Sequence, residues 1–230
     1  MSECQHWDMD TSLPKAARRG LAQEAADLIR EAILTGKFAP GVPLREVELA
    51  AALGISRGSV REGLALLESE GLIRRGWHRG TAVLEITAHD VEEVYTLRAA
   101  LDRLAAVTAR HTATPDQLDE LDELVDRMAA ELAANAPAAR LLALDLAFHD
   151  RIYAAAGNQR LHRAWDALRS QVHFFQLHRV TTDNHYRDRV VAEHRELATL
   201  LRSGDPETLA RYAEQHVDTA RRSLLADLPT

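Results

Sequence analysis

Residues 47–73, VELAAALGISRGSVREGLALLESEGLI, decide the fold. Val47 to Leu53 is a short run of good helix formers that stops at Gly54, the residue type best suited to the left-handed turn closing a helix. Ser56 then reads as an N-cap, because its hydroxyl accepts from a free amide of the next helix's first turn. That helix runs to about Ser69, with Val60, Leu64 and Leu67 recurring on one face. Ala51 and Gly54 read as the small residues that permit close packing and a sharp turn, with Ile55 and Val60 plugging the angle between the helices. Beyond Gly71, LIRR and TAVLEI flank GWHRG, two short extended runs around a glycine-bounded turn, which predicts a β-hairpin. Upstream, Leu21, Ala25, Leu28, Ile29, Ala32 and Ile33 share a helical face that ends at Thr35-Gly36, before the turn-rich FAPGVP. Helix, helix, tight turn, helix and hairpin is the plan of a winged helix-turn-helix.

Outward from this stretch the chain changes character twice. Residues 1–20 have no helical period and read as a flexible tail ending in the basic cluster Lys15, Arg18 and Arg19. After Thr87 the strand pattern stops, and six helical segments follow at roughly 89–111, 115–134, 137–156, 158–179, 185–203 and 206–226. Thr114-Pro115 and Asp205-Pro206 are start signals, because Pro suits the first helical turn and Thr or Asp caps it. The fold class is therefore mainly α: a winged helix-turn-helix over 21–86 and an all-α six-helix bundle over 87–227.

The 230 residues are 46% hydrophobic and 27% charged, the profile of a foldable chain; 5% aromatics favour helices over strands. The single cysteine, Cys4, fits a reducing compartment. No run approaches the roughly 18 uncharged apolar residues of a membrane span, and MSECQHWDMD lacks the basic-then-apolar layout of a signal peptide. The expected location is the cytoplasm, with no membrane partner. A net charge of -7 at first argues against nucleic acid. Its distribution reverses that: residues 15–86 carry 11 Lys+Arg against 9 Asp+Glu, whereas 87–230 carry 17 against 23.

The first half then reads as a binder of double-stranded DNA. Arg57 and Arg61 lie one turn apart at the start of the third helix, where a recognition helix reaches base edges, and Arg can grip guanine O6 and N7 in a bidentate way. Ser56 and Ser59 are expected to donate to phosphates. Arg45 ahead of the second helix, and His78, Arg79 and Gly80 at the hairpin tip, would add backbone or minor-groove contacts.

The second half reads as a site. The inward stripe of 137–156 runs Leu141, Leu142, Asp145, Phe148, His149 and Ile152; His194 interrupts the stripe of 185–203, and His216 that of 206–226. Buried polar groups need partners or a metal. One carboxylate and three imidazoles suit a divalent ion, zinc first, with nickel or manganese also accommodated. Four such ligands leave two positions of an octahedral shell for water or a carboxylate. Arg98, in the line Val91, Val94, Arg98, Leu101 and Ala105, reads as the partner of an anion there, on the expectation that no acid of its own helix neutralises it. His173 is a further candidate to face the cavity.

With these residues in place, the chain resembles the GntR family of bacterial transcription regulators, and within it the FadR-like group with a C-terminal FCD effector domain. The resemblance spans about residues 21–227, and L-G-I-S-R-x-x-V-R-E-x-L is its most specific part. It implies that Arg45, Arg57, Arg61 and wing-tip Gly80 contact operator DNA. It also implies that Asp145, His149, His194 and His216 hold the metal, and that Arg98 helps hold a carboxylate effector. Two positions depart from the pattern. Gly58-Ser59 stands where relatives commonly carry Thr-Pro, and Gly63 inside the recognition helix should cost about 1 kcal/mol relative to Ala. Six bundle helices rather than seven resemble the shorter FCD type and argue against an acyl-CoA ligand.

The expected function is thus a metabolite-responsive repressor, a homodimer on a palindromic operator, controlled by a small organic acid at a metal site. No catalytic residue is assigned. Three rivals are a regulator for which the ion itself is the signal, a metal-dependent hydrolase, and an interaction module with a structural ion. H-E-x-x-H, G-x-S-x-G and the E-x-x-H pairs of di-iron bundles are absent from the sequence, against the hydrolase.

Overall fold

A computed structural model describes residues 19–76, 80–183 and 185–228. Helices α1 (Arg19–Leu34), α2 (Glu46–Leu53) and α3 (Arg57–Ser69) precede strands β1 (Ile73–Gly76) and β2 (Gly80–Val83). The strands pair antiparallel, Ile73 with Val83 and Gly76 with Gly80. Gly54 closes α2 at φ 66°, its amide donating to the Ala50 carbonyl, so the predicted turn forms where only Gly is unstrained. Val60 is fully buried behind it and Ile55 half-buried.

Three local expectations change. Ala51 is exposed, and its neighbours Leu49 and Ala50 carry the inner face of α2. Leu28 is also exposed, while Ala22, Ala25, Ala26, Ile29 and Ile33 are buried. The reason is α3: a Cβ at Gly63 would meet the Ala22 carbonyl oxygen at 2.8 Å and the Ala25 Cβ at 3.1 Å. The helices approach so closely that only small residues fit between them, so Gly63 is a packing requirement rather than a helix defect. The segment read as a bare turn is also more ordered. Leu44 donates to the Thr81 carbonyl and Val83 to the Val42 carbonyl, laying residues 42–44 along β2.

Six helices follow: α4 (Ala88–Thr112), α5 (Pro115–Ala133), α6 (Ala138–Ala155), α7 (Gln159–Thr182), α8 (Tyr186–Ser203) and α9 (Pro206–Asp227). Thr87 and Thr114 make capping boxes with Asp90 and Gln117, and Asp205 caps α9 through the Thr208 amide. α4 packs along α9 and crosses α6 and α7, while α5 lies against α6 and α8. None of the described helices is long and apolar enough to cross a membrane.

The two halves touch at the C-terminal end of α3. Arg30 of α1 grips Glu70 through two nitrogens at 2.7 and 2.5 Å. Ser170 of α7 donates to the same carboxylate at 3.0 Å. Gln171 reaches the Gly71 carbonyl at 3.4 Å, and Arg74 of the wing pairs with Asp90 at 2.6 Å.

Candidate nucleic-acid interface and metal centre

Ser56 caps α3 as its residue type predicts, accepting from the Ser59 amide at 3.1 Å. The two hydroxyls lie 3.0 Å apart and Ser59 is buried, so its hydroxyl is occupied within the cap while Ser56 stays at the surface. Arg57 and Arg61 project outward with side chains 62% and 59% exposed. Glu46, at the start of α2, holds Arg61 through Nε at 3.0 Å and Nη2 at 2.8 Å, and lies 3.9 Å from Arg57. The Arg61 hydrogen bond keeps the Glu46 carboxyl below its ordinary range. Such exposed pairs are weak and exchange readily for a phosphate or a base edge. Arg45 is exposed and pairs with Glu48 at 2.8 Å. Gly80 opens β2 at φ +74° in open space, and Arg79 and His78 lie outside the described residues.

In the bundle, α6, α8 and α9 bring His149, His194 and His216 together, with ligand atoms within 4.8 Å of one another. His149 Nε2 lies 3.3 Å from His216 Nε2. Asp145, one turn before His149, places Oδ1 at 3.8 Å from His149 Nε2 and Oδ2 at 3.7 Å from His194 Nε2. Ligands about 2.1 Å from one ion sit roughly 3–3.5 Å apart; the His149–His216 pair stands at that spacing and the Asp145 contacts are somewhat wider.

The other ring nitrogens explain why Nε2 is the inward atom each time. His194 Nδ1 donates to the Val190 carbonyl at 2.6 Å. His149 Nδ1 faces Asp102 Oδ2 at 3.3 Å, and His216 Nδ1 faces Glu193 Oε2 at 3.3 Å. An acceptor at Nδ1 leaves the Nε2 lone pair for a metal. His194 Nε2 and Asp145 Oδ1 are buried without a protein hydrogen-bond partner, as a ligand set awaiting a cation would be. Burial pushes the Asp145 carboxyl up, but His194, His149 and Arg98 outweigh it and hold it well below the usual carboxylate range. Burial, with His194 and His149, lowers His216 to about 4 against the pull of Glu193, keeping it a neutral donor at pH 7.

Arg98 is 1% exposed, as its stripe predicts, yet it does have an acidic neighbour on its own helix. Asp102, one turn on, lies 3.5 Å from Arg98 Nε and takes the buried place assigned to the half-buried Leu101. Burial raises the Asp102 carboxyl, but Arg98, His149 and the Tyr153 hydroxyl bring it down to about 2. Arg98 Nη2 also lies 3.1 Å from His149 Nε2, whereas Nε and Nη1 have no hydrogen-bond partner. His173 sits half-buried beside Arg169 and does not join the cluster. Asp102, Glu193 and Glu46 were not singled out from the sequence.

Two family models match: "Bacterial regulatory proteins, gntR family" over residues 21–83, and "FCD domain" over residues 93–219. The "Probable D-xylose utilization operon transcriptional repressor" of Paenarthrobacter nicotinovorans is 31% identical over 208 residues, covering 90% of each chain. The uncharacterized HTH-type regulator YdhC of Bacillus subtilis is 26% identical over 189 residues, 82% of each. A crystal structure of a GntR regulator from Rhodococcus sp. RHA1 superposes with a TM-score of 0.71 at 22% identity, over 90% of this chain and 99% of that one, a likeness of fold.

Proposed function

Because the chain belongs to the gntR family of bacterial regulatory proteins and carries an FCD domain, we propose that this DNA-binding regulator is a cytoplasmic repressor controlled by a small organic acid at a metal site. The head, residues 21–86, would read the operator through Arg57 and Arg61, with Arg45, Ser56, Arg79 and Gly80 around the backbone. Residues 87–227 would bind the effector and dimerise, setting two heads on a palindrome. Leu97 and Leu104, seven residues apart on α4 and each 51% exposed, support a two-fold contact that would cover them. Repression follows the control sense of the D-xylose operon relative.

The gathering of His149, His194 and His216, with Asp145 beside the first two and each Nδ1 facing its own acceptor, carries the metal reading. Asp145, His149, His194 and His216 would hold a divalent ion, zinc first, with nickel or manganese also fitting the donor set. Bound there, the ion would supply a Lewis-acid position for a carboxylate, and Arg98 would turn its unpartnered Nη1 to the same anion. The void beside His149 is only about 10 Å³. An acid therefore enters by displacing packed side chains, and one that favours one placement of the two heads shifts operator binding.

Elemental analysis of the purified protein and of the His194→Ala/His216→Ala variant tests the centre. The parent should carry about one ion per chain, and the variant should lose it together with any acid-induced release of operator. Full metal content in the variant would remove the ligand assignment. The narrow void also favours a second reading, in which the ion alone is the signal. Chelation would then release or restore operator binding with no acid present.

A further inference from the structure

Arg98 has a counterpart across the centre. Arg179 of α7 is 5% exposed, and among the described residues no carboxylate lies within ion-pair distance of it. Asp183, one turn on, is near enough for the Arg179 charge to help lower its carboxyl, but its ion pair is with Arg189 at 2.8 Å. Arg179 Nε has no hydrogen-bond partner, and its guanidinium lies 5.0 Å above the Tyr186 ring. The Tyr186 hydroxyl, also buried and unpartnered, neighbours Asp145 of the metal set. Gln176, three residues before Arg179, is 2% exposed with its Oε1 free, and Tyr95, within electrostatic reach of both arginines, has a free hydroxyl. A buried guanidinium without an acid is costly, and stacking on Tyr186 offsets only part of that cost. Through Tyr186, which adjoins Asp145, Arg179 lies beside the metal set, where an anion would satisfy its donor.

We propose that Arg179, with Tyr186, binds a second acidic group of the effector, so that the effector is a dianion and Arg179 selects diacids over monoacids. This rests on reading Arg98 and the His/Asp centre as a carboxylate site. The first carboxylate lies at that centre. The second acidic group, a carboxylate or a phosphate, meets the guanidinium of Arg179, which suits planar bidentate recognition of either.

The test is calorimetric titration of the zinc-loaded full-length protein with diacids from malonate to adipate and with monoacids from propionate to hexanoate. Phosphoglycolate against glycolate reports whether phosphate serves as the second group. The parent should bind at least one dianion tenfold or more tightly than the monoacid of equal length. Arg179→Gln should abolish that margin while zinc content and monoacid affinity stay within twofold, and Arg179→Lys should keep part of it. A margin that survives Arg179→Gln, or no margin in the parent, overturns the proposal. Monoacids that bind with zinc but without any diacid advantage sink Arg179 alone. No zinc-dependent binding of any acid sinks the carboxylate site and the proposal with it. Should Arg179→Gln fail to fold, the parent's margin and Arg179→Lys decide.

Discussion

At Arg61 the guanidinium already grips Glu46, so operator binding through it, as proposed, would be an exchange of partners rather than capture of a free cation. Arg61→Ala should lower affinity for the specific operator roughly ten- to hundredfold, as loss of a bidentate base contact does, with a smaller loss on scrambled duplex. Fluorescence anisotropy on both duplexes separates the cases, and equal losses would reassign Arg61 to phosphate. His216 makes a prediction of another kind. Burial first, then His194 and His149, hold it at about 4 in the fold, whereas an unfolded chain titrates near ~6.5. Between those values the unfolded chain takes up a proton that the folded one refuses. The stabilisation is complete above about pH 6.5 and is lost as pH falls toward 4, about 3 kcal/mol in all. Asp102, lowered to about 2, acts only below that window. Urea unfolding of chelator-treated protein between pH 7.5 and 4.5 should show this slope (a range set by the linkage relation, ~3 units wide). His216→Gln should flatten it, and an unchanged slope in that variant would clear His216 of the effect.

Among the elements, the α1–α3 pair gives a result that propensity alone inverts. Replacing a mid-helix Gly by Ala ordinarily stabilises by about 1 kcal/mol. At Gly63 the added carbon meets the Ala22 carbonyl oxygen at 2.8 Å, and backbone does not yield cheaply. Gly63→Ala should instead destabilise by ~1–3 kcal/mol, read from the shift of the urea midpoint. A midpoint that rises would mean the helices separate without strain. This pair also marks where the sequence stopped being legible. Caps and breakers at Gly54, Ser56, Thr114 and Asp205 located the helices to within a few residues, because those signals act through local backbone hydrogen bonds. Leu28 was placed inside because large apolar residues usually are, but the close approach at Gly63 reserves that face for alanines. The sheet-like pairing of residues 42–44 left no side-chain pattern, since it rests on backbone contacts with β2. The inward Asp145, His149, His194 and His216 were readable as polar breaks in apolar stripes. Asp102 was readable too, one turn from Arg98, and was overlooked. Glu193 had no such signal, because it flanks His194 in sequence and meets His216 only through the packing of α8 on α9.

On the scale of the whole molecule, α7 joins the two tasks. Near its middle, Ser170 and Gln171 hold Glu70 and Gly71, the residues that close the recognition helix, and Glu70 is clamped from the other side by Arg30. Gly71 sits at φ +67°, and the Gln171 side-chain amide fills the space a Cβ there would take. Farther along the same helix, about 12 Å from Gln171 at the rise of an α-helix, Arg179 stacks on Tyr186 beside Asp145. If the helix moves as a rod, an acid drawing on Arg179, as proposed, would also move the groups holding the end of α3. Ser170→Ala with Gln171→Ala should leave both operator affinity without acid and acid affinity close to the parent's. What should shrink is the factor by which a saturating acid weakens operator binding, ordinarily about 5- to 150-fold in coupled systems, toward unity. Anisotropy titrations of operator with and without the tightest-binding diacid measure that factor directly. If it is unchanged in the double variant, the signal crosses instead where Arg74 of the wing meets Asp90 at the start of α4. Arg74→Ala would then carry the loss of coupling that the α7 variant lacks.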